Sequence, residues 1–508
     1  MLEYVPERHL TGGLRLEAHK TASTGQPIRR GFLPRRLILG LQQHRGAAAE
    51  PIVAVGQRVL RGEMVAAPCG AASAAVHASS SGWVRAMEER LVLAADGIQS
   101  SPCIIVETDG KDEAHDASRE PPWPLEREPQ LERLRTAGLV GLGGAVFPTA
   151  QKLAGAAECK MLIVNGAECE PYISCDDLLM REFASQVVGG ALIIADLLQT
   201  PLCVIAIERD KRAALDAIGS AANEVGDSRL KLAEVPTIYP AGGERQLIEL
   251  LTGEEVPSGR YPSEIGYVCQ NVGTACAVFR LVRQNEPLIT RIVTVTGRGM
   301  REPQNVQTPI GAPIGELIEY CGGYTEDAVR LIAGGSMMGY ALPNDDLPVS
   351  KATNCIIAAA EEEIRTDPSE WPCIRCGECS NACPARLLPQ ELLVAARTAD
   401  FDALGALGLR DCIECGCCDV ICPSHIWLTE QFRRAKRSFA VHERELAFSS
   451  ATEGRFHRRE QRRHADEEHE ADVRDSLKKE ISADPEARRK AIEAAVQRAN
   501  QRRSDRET

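Results

Sequence analysis

The chain reads as a multidomain protein of mixed α/β and α+β class, and three observations set that expectation. Its 508 residues exceed what one hydrophobic core serves, since single cores stop growing near about 250–300 residues. Residues 51–106 alternate apolar and polar side chains in short runs, whereas residues 128–288 alternate strand-like and helix-like segments. Near the C-terminus, eight cysteines fall in two runs of identical spacing. The expected organisation is an N-terminal β barrel-sandwich hybrid at 1–108, a Rossmann-like α/β domain at 128–288 and a β-grasp domain at 289–350. A helical two-cluster ferredoxin module at 365–440 and a charged tail at 441–508 complete it.

In the first region, IVAVGQRVLRGEMVA, VHASSSGWVRAM and CIIVETDG read as short strands bent at glycines, the pattern of a lipoyl- or biotinyl-type sandwich. Such carriers need a lysine at the hairpin tip, and Ser79-Ser80-Ser81-Gly82 offers none, so a structural or docking role is expected. Arg29, Arg30, Arg35 and Arg36 precede it and suit either anionic lipid head groups or a solvated loop. A charged, proline-containing linker at 109–127 follows.

The α/β region opens on a glycine loop running from Gly138 through Gly141, Gly143 and Gly144 to Phe147, Pro148 and Thr149, with Lys152 beyond it. Closely spaced glycines let backbone approach a flat or phosphorylated ligand, and a following helix start presents amide donors to a phosphate. The same run also reads as a plain turn. The next strand, LIVNG, delivers Asn165 to its end, followed by Glu168, Glu170 and Pro171; Gly242-Gly243-Glu244 and Gln270-Asn271-Val272-Gly273 open later helices. Carboxylates repel a phosphate, so these suit ribityl, ribose or ring N–H groups, or else act as solvated residues at a helix start. Alternating strands and helices place such a site at the strand ends of an open sheet.

The β-grasp expectation rests on ITRIVTVTGRGM and VQTPIGAPIGELIEYCGG, which read as strand, turn, strand and helix, with an extended stretch to Ala358 after them. In the cysteine runs, Cys373, Cys376, Cys379 and Cys383 precede Pro384, and Cys412, Cys415, Cys418 and Cys422 precede Pro423, each pair offset by 39 residues. Two-residue gaps let three thiolates converge on one 4Fe-4S cubane, while the fourth cysteine ligates the other cluster. The ligand sets are therefore Cys373, Cys376, Cys379 and Cys422, and Cys383, Cys412, Cys415 and Cys418. Zinc uses C-x2-C pairs too, but its closed tetrahedron does not suit a triple repeat with a distant fourth cysteine. Cys417 is out of phase and reads as a non-ligand. The tail has 16 basic and 16 acidic residues and little to bury, which suits a solvated helix or disorder.

Composition narrows the function. A formal charge of −13 and 4% aromatic residues exclude a general nucleic-acid binder, which needs a basic surface and stacking platforms. Nineteen cysteines without a secretory segment indicate a reducing compartment. The longest apolar stretch, 191–198, contains Asp196 and falls far short of the roughly 20 residues a bilayer demands. A cytoplasmic protein, or one docked on a membrane from that side, is expected.

Taken in order, GLVGLGGAVFPTAQK, NGAECEP, GGE and QNVGTA resemble the flavin and nicotinamide site of the flavoprotein subunit of respiratory complex I. With the sandwich before them, and GGSMMGYALP and the double cysteine run after them, the chain from about His9 to Arg437 resembles the C subunit of the Rnf ion-translocating complex. The resemblance implies a non-covalent FMN cradled by Gly141, Gly143, Gly144 and Lys152, with Asn165, Glu168, Asn271 and Glu244 on its ribityl chain and ring edges. It also implies that Glu170 meets the ribose hydroxyls of NADH and Phe147 a ring. This sequence departs from the complex I pattern at Leu142, where an arginine is typical, at Ala145 in place of the last glycine, and at Ala167 in place of an acid.

The expected function follows: hydride passes from stacked NADH to FMN with no acid or base side chain required, and two 4Fe-4S clusters carry single electrons onward. The protein would be a peripheral NADH-dependent oxidoreductase subunit on the cytoplasmic face of the cell inner membrane. Its partners would be a ferredoxin-like subunit and integral membrane subunits. A flavin-free iron-sulfur adaptor and a soluble NADH diaphorase subunit are the alternatives.

Overall fold

The computed structural model describes residues 10–94, 96–116, 121–156, 158–364 and 369–504. His9 and the residues before it, the opening of the expected cysteine module at 365–368 and the last four residues of the tail lie outside the described residues. The chain divides into two units, Met1–Arg433 and Arg434–Thr508.

Within the first unit, Arg36–Gly40, Gly97–Thr108, Gly82–Ala94 and Arg58–Val59 form an antiparallel sheet in that order. Glu50–Pro51, Met64–Ala67 and Val76–His77 form a second, three-stranded sheet. Alternation puts every second side chain on one face, and Leu37, Leu39, Val59, Val65, Val76, Val84, Ile104 and Val106 make one buried core. The segment read as a hairpin tip is interior instead. Ser79, Ser80 and Ser81 are buried, with the Ser80 and Ser81 hydroxyls donating to Asp112 and Asp109 at 2.8 and 2.6 Å. The arginines before the sandwich do not present a bare basic face. Arg29 pairs with Glu302, Arg30 with Glu182, Arg35 with Glu316 and Glu319, and Arg36 with Asp346, at 3.0–3.7 Å.

The α/β domain is a four-stranded parallel sheet in the order Leu230–Val235, Cys203–Glu208, Met161–Gly166, Tyr267–Asn271. Cys203–Glu208 is buried at all six positions, which is why CVIAIE carries no polar alternation. Ala184–Leu198 packs on Val272–Gln284 so closely that a Cβ on Gly190 would overlap the Ala275 carbonyl. Chain order along the sheet is third, second, first, fourth. The direction of winding therefore reverses between Met161–Gly166 and Tyr267–Asn271, where doubly wound sheets open a crevice at their carboxyl ends.

The next sheet has five strands, ordered Gln304–Pro309, Thr290–Thr296, Cys355–Ala360, Ala328–Ala333, Tyr340–Ala341, with the helix Ile314–Tyr320 between its second and third strands in sequence. Its central strand, Cys355–Ala360, lies beyond the expected boundary at 350 and is buried throughout. In the cysteine module, left-handed backbone recurs with the 39-residue period: Arg375 and Glu414, Gly377 and Gly416, and Arg386 and His425 all have φ between 54° and 83°. In the second unit, the helix Leu428–Ala483 runs on from the first unit, and Pro485–Ser504 follows it; most described side chains there are exposed. Among the described residues no single helix is long and apolar enough to cross a membrane.

Candidate functional site: a strand-end crevice and two cysteine pockets

The glycine loop is a closed excursion. At its base Gly141 N–H donates to the Phe147 carbonyl at 2.9 Å and Thr149 N–H to the Leu139 carbonyl at 3.1 Å. Behind it, Leu142 N–H donates to Thr274 Oγ1, and the buried Arg291 guanidinium donates to the Leu142 carbonyl, both at 2.9 Å. Pinned there, the loop exposes Gly143, and Gly144 at φ +99° has open space where a Cβ would stand. The helix after it, Thr149–Ala154, is a single short segment that carries Lys152.

Contacts at the strand ends link most of the predicted residues to this loop or to one another. Asn165 and Asn271 are register partners at the ends of adjacent strands. A Cβ on Gly143 would lie 3.5 Å from Asn271. Asn271 caps its helix through Gly273 N–H at 2.8 Å and donates to Asp176 at 2.6 Å, while Asn165 donates to the Gly242 carbonyl at 2.8 Å. Lys152 Nζ meets Glu244 at 2.6 Å. Burial pulls the Lys152 ammonium down, but the Glu244 carboxylate, with Cys269 beside it, more than offsets this and holds it above its ordinary value. Phe147 stands partly buried at the loop's foot.

Two of the predicted carboxylates point elsewhere. Glu168 is buried under the helix Cys175–Glu182, accepting from Asp176 N–H at 2.9 Å and Asp177 N–H at 3.4 Å, as an anion at a helix start should. Its neighbour Asp176 is pushed up to about 7 by burial and by the Glu168 charge. Glu170 Oε1 accepts from Met337 and Met338 N–H, in the turn between the strands Ala328–Ala333 and Tyr340–Ala341. Sequence reasoning missed Lys20, whose buried ammonium donates to the Glu168 carbonyl, and Tyr239, whose hydroxyl donates to the Cys415 carbonyl at 2.7 Å. Neither carries a motif that spacing would reveal.

The cysteines separate into two pockets that mix the runs. Cys373, Cys376, Cys379 and Cys422 line one pocket together with apolar Ile374, Leu393, Ile426 and Leu428. Cys383, Cys412, Cys415 and Cys418 line another with Ile413, Leu387 and Phe432. Cys417 lines the second as well. The first pocket is the more open: Cys373 and Cys376 are exposed, beside exposed Trp371 and Ile374, whereas Cys415 and Cys418 are buried. Cys415 and Cys417 pack against Tyr239, Cys169 and Met337, so the second pocket adjoins the NGAECEP segment.

Comparison with known proteins agrees with this layout. Residues 8–111 match the RnfC barrel sandwich hybrid domain, 134–280 the Nuo51 FMN-binding domain and 292–341 the SLBB domain. The C subunit of the ion-translocating oxidoreductase complex of Pseudomonas aeruginosa is 45% identical over 91% of this chain and 59% of its own length. The chain belongs to the RnfC family, the C subunits of ion-translocating oxidoreductase complexes. Other RnfC relatives, from Vibrio cholerae and Klebsiella pneumoniae, are 40% and 39% identical over 90% and 97% of this chain, covering 59% and 65% of their own lengths. The chain thus spans about three fifths of the length of these RnfC relatives. A solved NAD+-reducing [NiFe]-hydrogenase chain overlaps at a TM-score of 0.44 and 20% identity over 57% of each chain, too slight a likeness to bear on function.

Proposed function

We propose that this protein is a peripheral electron-transfer subunit of a membrane-bound ion-translocating oxidoreductase complex, an NADH-dependent oxidoreductase that holds FMN and two 4Fe-4S clusters. The observation that carries the reading is the presence, in one structural unit, of two four-cysteine pockets and a domain matching an FMN-binding family. The donor sets fit the clusters: each pocket brings together three cysteines of one run and one of the other among mainly apolar side chains, and the recurring left-handed turns curl backbone around each run. The crevice fits a flavin in that its floor is bare glycine at 143 and 144 and its rim holds Lys152 as a cation.

Gly141, Gly143, Gly144 and Lys152 would hold the FMN, with Asn165, Asn271 and Glu244 fixing the rim and Phe147 flanking the nicotinamide, while Glu168 would act only from behind, by accepting from the Asp176 and Asp177 amides. Cys373, Cys376, Cys379 and Cys422 would ligate one cluster, and Cys383, Cys412, Cys415 and Cys418 the other. FMN would accept a hydride and release single electrons, and the clusters carry one electron each. The chain's own part is to bind and orient. Arg291 and Thr274 hold the loop, Asn271 and Asn165 tie the crevice floor to neighbouring backbone, and no acid or base is required of them. The boundaries at 1–108, 128–288, 289–350, 365–440 and 441–508 are proposed as functional divisions, the β-grasp sheet reaching Ala360.

Partners are proposed to be the other subunits of such a complex, a ferredoxin-like subunit and integral membrane subunits among them, at the cytoplasmic face of the cell inner membrane. The family's name and the lack of a single membrane-crossing helix among the described residues support this. The test is Lys152→Ala in anaerobically prepared protein. It is expected to weaken FMN binding at least tenfold, about 1.4 kcal/mol, while iron content holds. Full flavin and full NADH-dependent reduction of an artificial acceptor would overturn the loop assignment.

A further inference from the structure

Residues 334–339, Gly334-Gly335-Ser336-Met337-Met338-Gly339, join the strands Ala328–Ala333 and Tyr340–Ala341 of the β-grasp sheet. The turn wraps one carboxylate oxygen. Met337 N–H and Met338 N–H donate to Glu170 Oε1 at 3.0 and 2.7 Å, and Gly339 N–H closes the turn on the Gly335 carbonyl at 2.9 Å. The fit is tight on the other side too: a Cβ on Gly335 would overlap the Glu170 side chain. Burial pushes the Glu170 carboxyl above its ordinary value, and the Met338 and Met337 amides pull it back.

Held this way, the turn reaches the second cysteine run. The Met337 carbonyl and Cε lie 3.4 and 3.5 Å from where a Cβ on Gly416 would stand, between Cys415 and Cys418 in the chain. Met337 belongs to one apolar patch with Cys169, Tyr239, Cys415 and Cys417. Glu170 therefore joins the NGAECEP segment to the turn that packs against Gly416 and Cys415 of the more buried cysteine pocket. We infer that Glu170 is a positioning residue whose carboxylate fixes the 334–339 turn so that Met337 seals the Cys383, Cys412, Cys415 and Cys418 pocket from water. This rests on the proposed function, in which these four cysteines ligate a cluster.

The consequence is electrostatic. A four-thiolate cluster gains negative charge on reduction, and water stabilises the more highly charged form, so unsealing the pocket raises its reduction potential. The experiment is hydrogen exchange of the 334–339 amides together with an EPR-monitored redox titration, on the anaerobically prepared full chain and on Glu170→Ala, Glu170→Gln and Gly335→Ala.

Glu170→Ala is expected to lose amide protection in the turn and to shift one cluster's midpoint upward, leaving the other in place. Glu170→Gln keeps a carbonyl oxygen for the two amides and is expected to retain protection. Gly335→Ala displaces the turn without touching the charge and is expected to reproduce the upward shift; it also decides the matter where Glu170→Ala does not assemble. Unchanged protection and unchanged midpoints would overturn the inference. So would a tenfold rise in the KM for NADH in Glu170→Gln with the turn still protected, which assigns Glu170 to the ribose instead. Wild-type protein without clusters would defeat the proposed function, whereas the exchange measurement would still report on the clamp.

Discussion

Lys351 is an ammonium held almost wholly out of water, donating to the Ala75 and Gly138 carbonyls at 2.9 and 2.7 Å. Burial lowers it to about 7, and burial together with the Lys351 charge lowers His44 to about 4 and His77 to about 3. The sign follows from which state binds the proton. Between the ordinary value of 6.5 and about 4, an unfolded histidine is charged while His44 and His77 remain neutral in the fold, so stability falls as pH falls through that window. Between 10.5 and about 7 the unfolded lysine is likewise the better proton binder, so the Lys351 contribution improves as pH rises. Thermal unfolding followed from pH 4 to 7 is expected to show a rising midpoint, and His44→Gln with His77→Gln to flatten it. An unchanged slope in the double variant would contradict the assignment.

None of these three residues stands out in the sequence. In LQQHRGAAAE, His44 reads as a ligand or, more simply, as a surface or capping histidine, yet it is buried and its Nε2 contacts Ala47, Ser73 and Ala74. Lys351 acts on carbonyls 276 and 213 residues away, and no local pattern encodes such a pairing. Glu168 and Glu170 were legible as special because NGAECEP follows a strand end. Their partners, the start of a helix and the turn of another sheet, were not legible, since they depend on how elements pack.

At the scale of elements, the repeat in the cysteine module was legible because it lies in local spacing, and the backbone repeats it at 39 residues. The proposed crossed ligand sets give a prediction that uncrossed sets do not. Cys422→Ser is expected to abolish the same cluster signal as Cys373→Ser, and Cys383→Ser the same signal as Cys412→Ser, as read by EPR of the reduced protein. Pairing of Cys422 with Cys412 instead would refute the crossing. The helix pair Ala184–Leu198 and Val272–Gln284 gives a second prediction. Gly190→Ala places a methyl against the Ala275 backbone and is expected to cost about 1–3 kcal/mol in denaturant unfolding. The strand Cys355–Ala360 was read only as an extended stretch because a six-residue run buried on both faces has no alternation to betray its sheet.

For the whole molecule, the arginines before the sandwich matter as connectors. Arg29, Arg35 and Arg36 pair with acids of the β-grasp region and Arg30 with Glu182 of the α/β domain, a reach that charge pattern alone does not disclose. Among the described residues, none that lines either cysteine pocket belongs to the second unit. A chain ended after residue 440 is therefore expected to keep the iron and flavin content of the full chain, since stability is local to each cooperative unit. An anaerobic NADH titration asks whether one chain joins a nicotinamide-reducible flavin to two iron-sulfur clusters. About eight irons and one FMN per chain are expected, with flavin absorbance bleached on adding NADH and cluster EPR signals appearing with it. Protein holding its iron but unresponsive to NADH, even after FMN is supplied, would contradict that expectation.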